Sequence, residues 1–464
     1  MKTIDSIAQE LEGYDPQALS ATTVSAFLAR LVEPVTSQET VGIFQALGRV
    51  LAQDVISPIS VPPHDNSAMD GYAFDGAQLS AQTSLNLQVM GTALAGKAWP
   101  GRVGPGECVK IMTGAILPHG LDTVVPQEFV TRSPAAAGLT NETSTPNEFI
   151  VIPAGLLSLG DNRRKLGEDL LQGQPALQKG ELLSPAALGL LASLGIEQVA
   201  VWRKLRVAYF STGDEILSLG EAPREGAVYD SNRYTVFGLL TRLGCEVIDL
   251  GVVRDEPALL EAAFRRAAAE ADAIITSGGV SVGEADYTKA MMKKLGGDAG
   301  GVAFWKIAMR PGRPMAVGRI LKDKSSASPR DISANSYQKE SESTAAETAV
   351  LFGLPGNPVA VMVTFLAFVR PALLQMMGNT ATPPPLLKAR SGEAIRKKPG
   401  RTEYQRGTVS NAPDGSLRVK TTGNQGSGVL SSMVQANGLI VLHHAQGNVA
   451  PGDEVDVMMF DGVI

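Results

Sequence analysis

The sequence predicts a multidomain protein of mixed class, in which a doubly wound α/β domain follows one small β domain and precedes another. Three observations carry this reading. A chain of 464 residues with 44% apolar content exceeds the usual size of a single core. Beyond Ser184, apolar runs alternate as strand then helix, the texture of a doubly wound sheet. The stretches on either side hold short apolar runs cut by Gly and Pro, the texture of small β domains.

The elements follow in order. Residues 22–51 carry two helical patterns, the second built on Val41, Phe44, Gln45, Leu47 and Val50 with Glu39 near its start. From Val55 to Pro153 the chain reads as a β domain, and its tail, 132–147, is rich in Ser, Thr, Ala and Pro. That tail is expected to be an exposed loop without a catalytic role. In the α/β stretch, a strand at 205–210 ends in Ser211-Thr212-Gly213-Asp214-Glu215, and a helix at 231–243 closes on Gly244. A strand at 245–253 follows. Asp255 is expected to cap a helix that has Pro257 in its first turn and Leu260, Ala263, Phe264 and Ala267 on one face. The strand ending at 273–275 runs into a glycine-rich turn and then a helix at 287–295, bounded by Gly296.

Strands at 304–309 and 350–353 and a helix at 358–376 complete the domain. A hydrophilic, Ser-rich segment, 322–348, is expected to be a disordered loop between two strands. After the linker Pro383-Pro384-Pro385, strands such as 439–442 and 454–458 form the terminal β domain. The apolar stretch 349–369 approaches membrane-spanning length, but Gly353, Pro355, Gly356, Asn357 and Pro358 interrupt it. A buried strand, a turn and a buried helix are expected there, and no membrane contact.

Charge and cysteine content exclude several classes. Forty-one basic and 47 acidic residues give a net charge of -6, which argues against a broad nucleic-acid surface, so any polyanion must be met locally. Cys108 and Cys245 cannot form a disulfide framework, the four histidines lack zinc spacing, and the N-terminus has no signal-peptide pattern. A cytoplasmic location is expected.

Chemistry concentrates at strand ends, where open α/β sheets bind ligands. Thr276-Ser277-Gly278-Gly279, followed by Asp286 and Lys289, joins a strand to a helix start, where freed backbone N–H groups can converge on a phosphate or oxyanion. A plain tight turn fits the dipeptide equally. Lys306, Arg310, Pro311, Gly312, Arg313 and Pro314 place three cations about a proline-stiffened turn, suited to an oxyanion or simply to solvent. Pro355, Gly356, Asn357 and Pro358 again join a strand to a helix start.

The loop containing His64, Asp65, Asn66, Ser67 and Asp70 could hold a hard cation or form a turn that bonds its own backbone. Further carboxylates are Asp214, Glu215, Asp230 and Asp169. Asp230 alternatively complements a helix dipole. Thr113 and Glu128 lie in the first β domain, where either faces ligand or solvates a turn.

Taken in order, these segments resemble the molybdopterin molybdenumtransferase family, which includes bacterial MoeA and the E domain of gephyrin. The resemblance runs from about Thr22 to Ile464. It implies a molybdopterin-binding-like α/β domain at 185–382, and a discontinuous, elongated domain one at 1–58 and 155–184. It also implies an inserted β domain at 59–154 and a C-terminal β barrel at 383–464. It implies a cytoplasmic homodimer with an active site shared between protomers. The implied reaction inserts molybdenum from molybdate into adenylylated molybdopterin and releases AMP with Mg²⁺. Molybdopterin adenylyltransferase and molybdoenzymes are the implied partners.

On this resemblance, Ser277, Gly278, Gly279, Asp286 and Lys289 hold the nucleotide and phosphates. Lys306, Arg310, Pro311, Arg313 and Pro314 line the molybdate pocket. Asp65, Asp70, Asp214, Glu215 and Asp230 bind Mg²⁺ or orient water. Arg310 and Arg313 stand where many relatives carry Lys, and Ala360 where many carry Ser. Two other readings remain open: an adenylyltransferase, which should lack both β domains, and a receptor-clustering scaffold, which need not keep the carboxylates.

Overall fold

The computed structural model describes residues 2–134, 148–280, 287–322 and 347–460. Asp286, nearly all of 322–348 and most of 132–147 therefore lie outside the described residues.

The centre of the molecule is a six-stranded sheet in the order Glu246–Val253, Arg206–Thr212, Ala273–Ser277, Thr348–Leu354, Pro314–Leu321, Val302–Lys306. The first four strands are parallel, and the last two pairings are antiparallel. The central strands are buried on both faces, which is why they read as continuous apolar runs. Alternate residues feed different cores: Val207 and Tyr209 enter one, and Ala208 and Phe210 the other. From Arg206–Thr212 the chain continues to a neighbour on each side. This is a topological switch point, and a crevice opens beyond Ser211 and Ser277, which lie in register.

Helix Ser231–Leu243 falls where expected, capped at its start by Asp230, whose carboxylate accepts the Arg233 N–H at 3.0 Å, and closed by Gly244 at φ 86°. Residues 358–376 are one continuous helical run of α-helix, a π turn at Phe365–Val369, and α-helix again. It is long and apolar enough to cross a membrane, yet 72% of its most apolar window is buried inside the protein. Asp255 is displaced from its expected cap. Glu256 occupies the N-cap of Pro257–Glu270 without a side-chain bond, and Asp255 instead accepts from Thr288 Oγ1 at 3.4 Å.

The N-terminal part departs further from expectation. Helix Ala21–Leu31 forms, with Val24, Phe27, Leu28 and Leu31 on its buried stripe, but it packs on the α/β core. Phe27 meets Trp305 edge to face at 4.9 Å, so Phe27→Ala should cost about 3–5 kcal/mol. The second expected helix is instead a strand, Gln38–Gly42, followed by a short 3-10 turn at Ile43–Gln45. The strand pairs with Gln198–Trp202, some 160 residues away, and this distant ladder overrides a local helical period. Phe44 and Leu47, taken as part of a helical face, are exposed. Helix Pro185–Ser193 and strand Gln198–Trp202 share a small core with Ala46, Leu51 and Leu177. Ala187, Leu191, Val199 and Val201 thus share a core with Ala46, Leu51 and Leu177.

The inserted domain is a six-stranded sheet between Gly71–Phe74 and Glu148–Ile152. The C-terminal domain closes as a barrel. Thr402–Asn411 pairs with both Leu417–Thr421 and Gly438–Leu442, and Leu387–Ser391 and Glu454–Met459 complete the ring around Val419, Ile440 and Val457. A short strand of the α/β domain, Met309–Arg310, joins this barrel by pairing with Thr402 and Glu403.

Candidate functional site

Four turns meet at the crevice and line two adjoining cavities. The first, of ≈ 650 Å³, takes Gly278 and Gly279 from one turn, Arg310 to Pro314 from a second, and Pro355, Gly356 and Asn357 from a third. Arg401, Gln425, Gly426 and Ser427 of the barrel form its remaining wall. The second cavity, of ≈ 510 Å³, is lined by Ser211, Thr212, Asp230, Asn232, Ser277 and Pro358 among others. Glu215, Gly278, Gly356 and Asn357 line both, so the two form one cleft.

The Gly-Gly turn requires glycine at both positions. Gly278 sits at φ 91° and Gly279 at φ 62°, conformations that side chains disfavour. A Cβ on Gly278 would lie 2.5 Å from the Thr212 carbonyl oxygen, and one on Gly279 would lie 2.5 Å from Thr288 Cβ. The backbone is thereby pressed against the neighbouring strand end and the following helix.

Electrostatics divide the cleft. The first cavity carries Arg310 and Arg313, whose guanidinium groups can grip an oxyanion by paired hydrogen bonds, and Arg401, which is held by the buried Glu403 carboxylate at 2.7 and 2.8 Å. Behind its barrel wall, Arg406 is wholly buried and donates to Ser432 Oγ at 2.9 Å and to the Gly426 and Asn424 carbonyls at 2.9 and 3.2 Å. Burial, helped by the nearby Arg310 charge, pushes its guanidinium down to about 10. Arg406 thus fixes the loop that faces the basic turn.

The second cavity is backed by a ring of three buried hydroxyls. Tyr209 Oη lies 2.6 Å from Ser277 Oγ and 2.9 Å from Ser211 Oγ, and the two serines are 3.2 Å apart. Burial pushes the Tyr209 phenol up, so it remains protonated.

Other expected site residues lie elsewhere. Asp214 turns aside, accepting the Asp255 N–H at 3.4 Å, while its carbonyl accepts from Arg224. Lys289 sits over the Phe304 ring at 5.9 Å and lines neither cavity. Lys306 lines a smaller neighbouring cavity with Arg313 and Arg401, behind the basic turn and outside the first cavity. Ala360 lines the first cavity and offers no hydroxyl.

Asp65, Asp70, Thr113 and Glu128 gather in the inserted domain. The Asp65 carbonyl accepts the Leu117 N–H, and the Asp70 carbonyl accepts the Gln127 N–H beside Glu128. The Leu166 N–H first, and then the Arg163 guanidinium, hold the Asp65 carboxyl below the usual carboxylate range against the opposing effect of burial. The Thr113 N–H and hydroxyl, each 2.7 Å away, do the same for Asp70. Asp169 stands in a turn whose N–H groups bond back to Val61 and Pro62. None of these five lines the chain's own cleft.

The Mg²⁺ expectation fares accordingly. Asp65, Asp214, Glu215 and Asp230 do not come together in one chain, and among the described residues no three His, Cys, Asp or Glu side chains are placed to hold a metal. Glu215 and Asp230 alone face the cleft.

Sequence reasoning missed Arg401, Gln425 and Ser427, which the barrel brings in through the Met309–Arg310 ladder, and Tyr209, hidden inside a strand. Thr212 and Asn232 lay inside noted motifs without a role.

Comparison with known proteins accounts for nearly the whole length. Residues 18–195 match the MoeA N-terminal region (domain I and II), 208–375 a probable molybdopterin binding domain, and 388–460 the MoeA C-terminal region (domain IV). A molybdopterin molybdenumtransferase of Haemophilus influenzae is 40% identical over 445 residues, covering 95% of this chain and 98% of that protein. The chain belongs to the molybdopterin molybdenumtransferase family. A second relative, from a Nostoc species, is 32% identical and covers 97% of this chain and 95% of its own length. The crystal structure of a MoeA molybdopterin biosynthesis protein from Pyrococcus horikoshii superimposes with a TM-score of 0.66 at 28% identity, covering 96% of this chain and 99% of that one. For a molybdopterin molybdenumtransferase, the cationic cavity joined to a hydroxyl-backed one lies within or beside the matched molybdopterin-binding region.

Proposed function

We propose that the protein inserts molybdenum from molybdate into adenylylated molybdopterin with release of AMP. One observation carries this beyond the family match: three arginines and a Gly-Gly turn form one end of a cleft whose other end is uncharged except for Glu215 and Asp230. The basic end suits molybdate and the phosphates, and it is preorganised by the proline-stiffened turn and by Arg406. Ser277, Gly278, Gly279, Pro355, Gly356, Asn357 and Pro358 position the substrate, and Arg310 and Arg313 with Arg401 hold the oxyanion. Lys306 guards its approach from the smaller cavity. Glu215, which lines both cavities, would orient the water that cleaves the phosphoric anhydride. Within a single chain, among the described residues, the carboxylates do not gather into a Mg²⁺ site.

The assembly belongs to the same proposal. A homodimer would carry Asp65, Asp70, Thr113, Glu128 and Asp169 of one copy over the cleft of the other. Two facts support this: the chain's own cleft contains none of them, and Phe44, 94% exposed, leaves apolar surface uncovered in the single chain. Substrate would pass from an adenylyltransferase and product to molybdoenzymes, in the cytoplasm. Both β domains are present, so the adenylyltransferase alternative is disfavoured.

The test is AMP release from adenylylated molybdopterin at graded molybdate. Release that rises and saturates with molybdate is expected, and release indifferent to molybdate would mark a simple pyrophosphatase.

A further inference from the structure

The hairpin that carries Arg310 and Arg313, between strands Val302–Lys306 and Pro314–Leu321, is clasped on its first limb by the N-terminal segment. The Lys306 N–H donates to the Pro16 carbonyl at 2.8 Å, and the Lys306 carbonyl accepts the Leu19 N–H at 3.2 Å. The Ala308 N–H donates to the Leu19 carbonyl at 2.7 Å, and Leu19 lies opposite Ile307 as a parallel bridge. From the barrel, the Thr402 N–H donates to the Ala308 carbonyl at 2.9 Å. The backbone groups of Lys306 and Ala308 are thus taken by chain from both ends of the sequence.

Side chains reinforce the clasp. Trp305, 2% exposed, donates its indole N–H to Tyr14 Oη at 3.0 Å, and Tyr14 stacks on Phe27 at 5.9 Å. Leu19 is buried in the larger core of the α/β domain. Arg319, on the strand that leaves the hairpin, donates to the Lys2 and Leu31 carbonyls, so the N-terminal arm is pinned at its start as well. The match to the MoeA N-terminal region begins at residue 18, so Tyr14 and Pro16 precede it.

Strand addition of this kind holds a backbone in place while leaving its side chains uncovered. An oxyanion site needs that combination, because its cations must be aimed in advance and stay accessible. Arg310 and Arg313 are exposed, and the prolines beside them stiffen only the turn itself. Resting on the transferase reading above, we propose that segment 14–19 is a positioning device for the oxyanion end of the cleft, with Tyr14 and Leu19 as its positioning residues. Neither lines the cleft, so both act through the limb at 305–308.

The test combines calorimetric titration of the full-length protein with molybdate and with AMP, the molybdate KM of AMP release, and hydrogen exchange over 304–313. Tyr14→Phe keeps the ring stack and removes the acceptor for Trp305. It should raise the molybdate Kd and KM about fivefold, with kcat and AMP affinity within about twofold, because a supporting bond is lost and no substrate contact. Leu19→Pro removes the N–H given to Lys306, whereas Leu19→Ala keeps that N–H and loses more apolar bulk. Leu19→Pro should weaken molybdate binding about tenfold, and more than Leu19→Ala does. Exchange over 304–313 should quicken in Tyr14→Phe and Leu19→Pro. Leu260→Ala, in the core on the other face of the sheet, should lower the melting temperature and leave molybdate affinity within about twofold.

Molybdate affinity unchanged in Tyr14→Phe and Leu19→Pro overturns the proposal, whatever the exchange shows. A loss in Leu19→Ala equal to that in Leu19→Pro, or a comparable loss in Leu260→Ala, would assign the effect to packing and overturn it as well. If Leu19→Pro does not fold, Tyr14→Phe decides. AMP release indifferent to molybdate, with the expected losses in the titrations, would sink the transferase reading alone. Molybdate-dependent release with unchanged variants would sink only the positioning role, and an unaltered protein that neither binds molybdate nor responds to it would overturn both.

Discussion

Tyr209 Oη and Ser277 Oγ stand 2.6 Å apart on adjacent parallel strands, and this contact fixes one serine of the glycine turn from inside the sheet. Tyr209 lines neither cavity of the cleft, so it acts through Ser277 and Ser211. In Tyr209→Phe the serines lose their shared partner, and a loss of about 1 kcal/mol in stability is expected. AMP release should slow roughly tenfold, because misplacement of positioning groups is costly. Chemical denaturation and steady-state kinetics check the two halves separately, and a stability loss with unchanged kinetics would reduce the ring to a structural role.

Arg406 offers a second test. Lysine keeps the charge but cannot span Ser432 and the 424 and 426 carbonyls together. Arg406→Lys is expected to raise the molybdate KM several-fold with a much smaller change in kcat, as the loop opposite Arg310 loosens. An unchanged KM would show that the loop is held by other means.

The Arg203–Asp272 pair, at 2.7 and 2.8 Å, ties the start of the central strand Ala273–Ser277 to the segment before Arg206–Thr212. Burial works to raise the Asp272 carboxyl, but Arg203 and the Arg206 N–H outweigh it and hold the group below its ordinary value. A carboxyl depressed in the folded state adds stability above its unfolded pKa of about 4, and that contribution is lost as pH falls through the folded value. Asp272→Asn should therefore be less stable by about 2 kcal/mol at pH 7, with the gap to wild type narrowing below about pH 4. Melting temperatures across pH 3 to 8 decide it, and a gap independent of pH would refute the linkage.

The proposed sharing of sites between copies predicts complementation. Asp65→Asn and Glu215→Gln should each abolish turnover alone. Random mixing of the two in one dimer population should restore about a quarter of wild-type activity, since half the dimers carry one intact site of two. No recovery after verified subunit exchange would mean that each chain works by itself.

Gly278→Ala tests the tight turn. The added methyl meets the Thr212 carbonyl in a backbone conformation that alanine disfavours. A loss of about 1–3 kcal/mol in stability is expected. Weaker AMP binding by titration should accompany it.

Much of the cleft was legible because its turns are written locally. Gly278-Gly279, Arg310 to Pro314 and Pro355 to Pro358 each punctuate an apolar run, and the cap at Asp230 and stop at Gly244 bound a helix without outside help. What escaped depends on distant partners. Gln38–Gly42 becomes a strand only because Gln198–Trp202 lies beside it. Arg401 reaches the cleft only because a barrel closes against residues 90 positions earlier. Lys306 shows the converse: four residues from Arg310 in sequence, it lines another cavity, as the chain reverses between Val302–Lys306 and Pro314–Leu321.

The pairing of Met309 with Thr402 and of Arg310 with Glu403 has a practical corollary. A chain cut at the triple proline would keep its central sheet yet leave the arginine turn hanging, without the ladder that aims it. On the proposed reading, the C-terminal barrel is a working part of the catalytic apparatus, and neither half of such a cut should gain function when the two are studied apart.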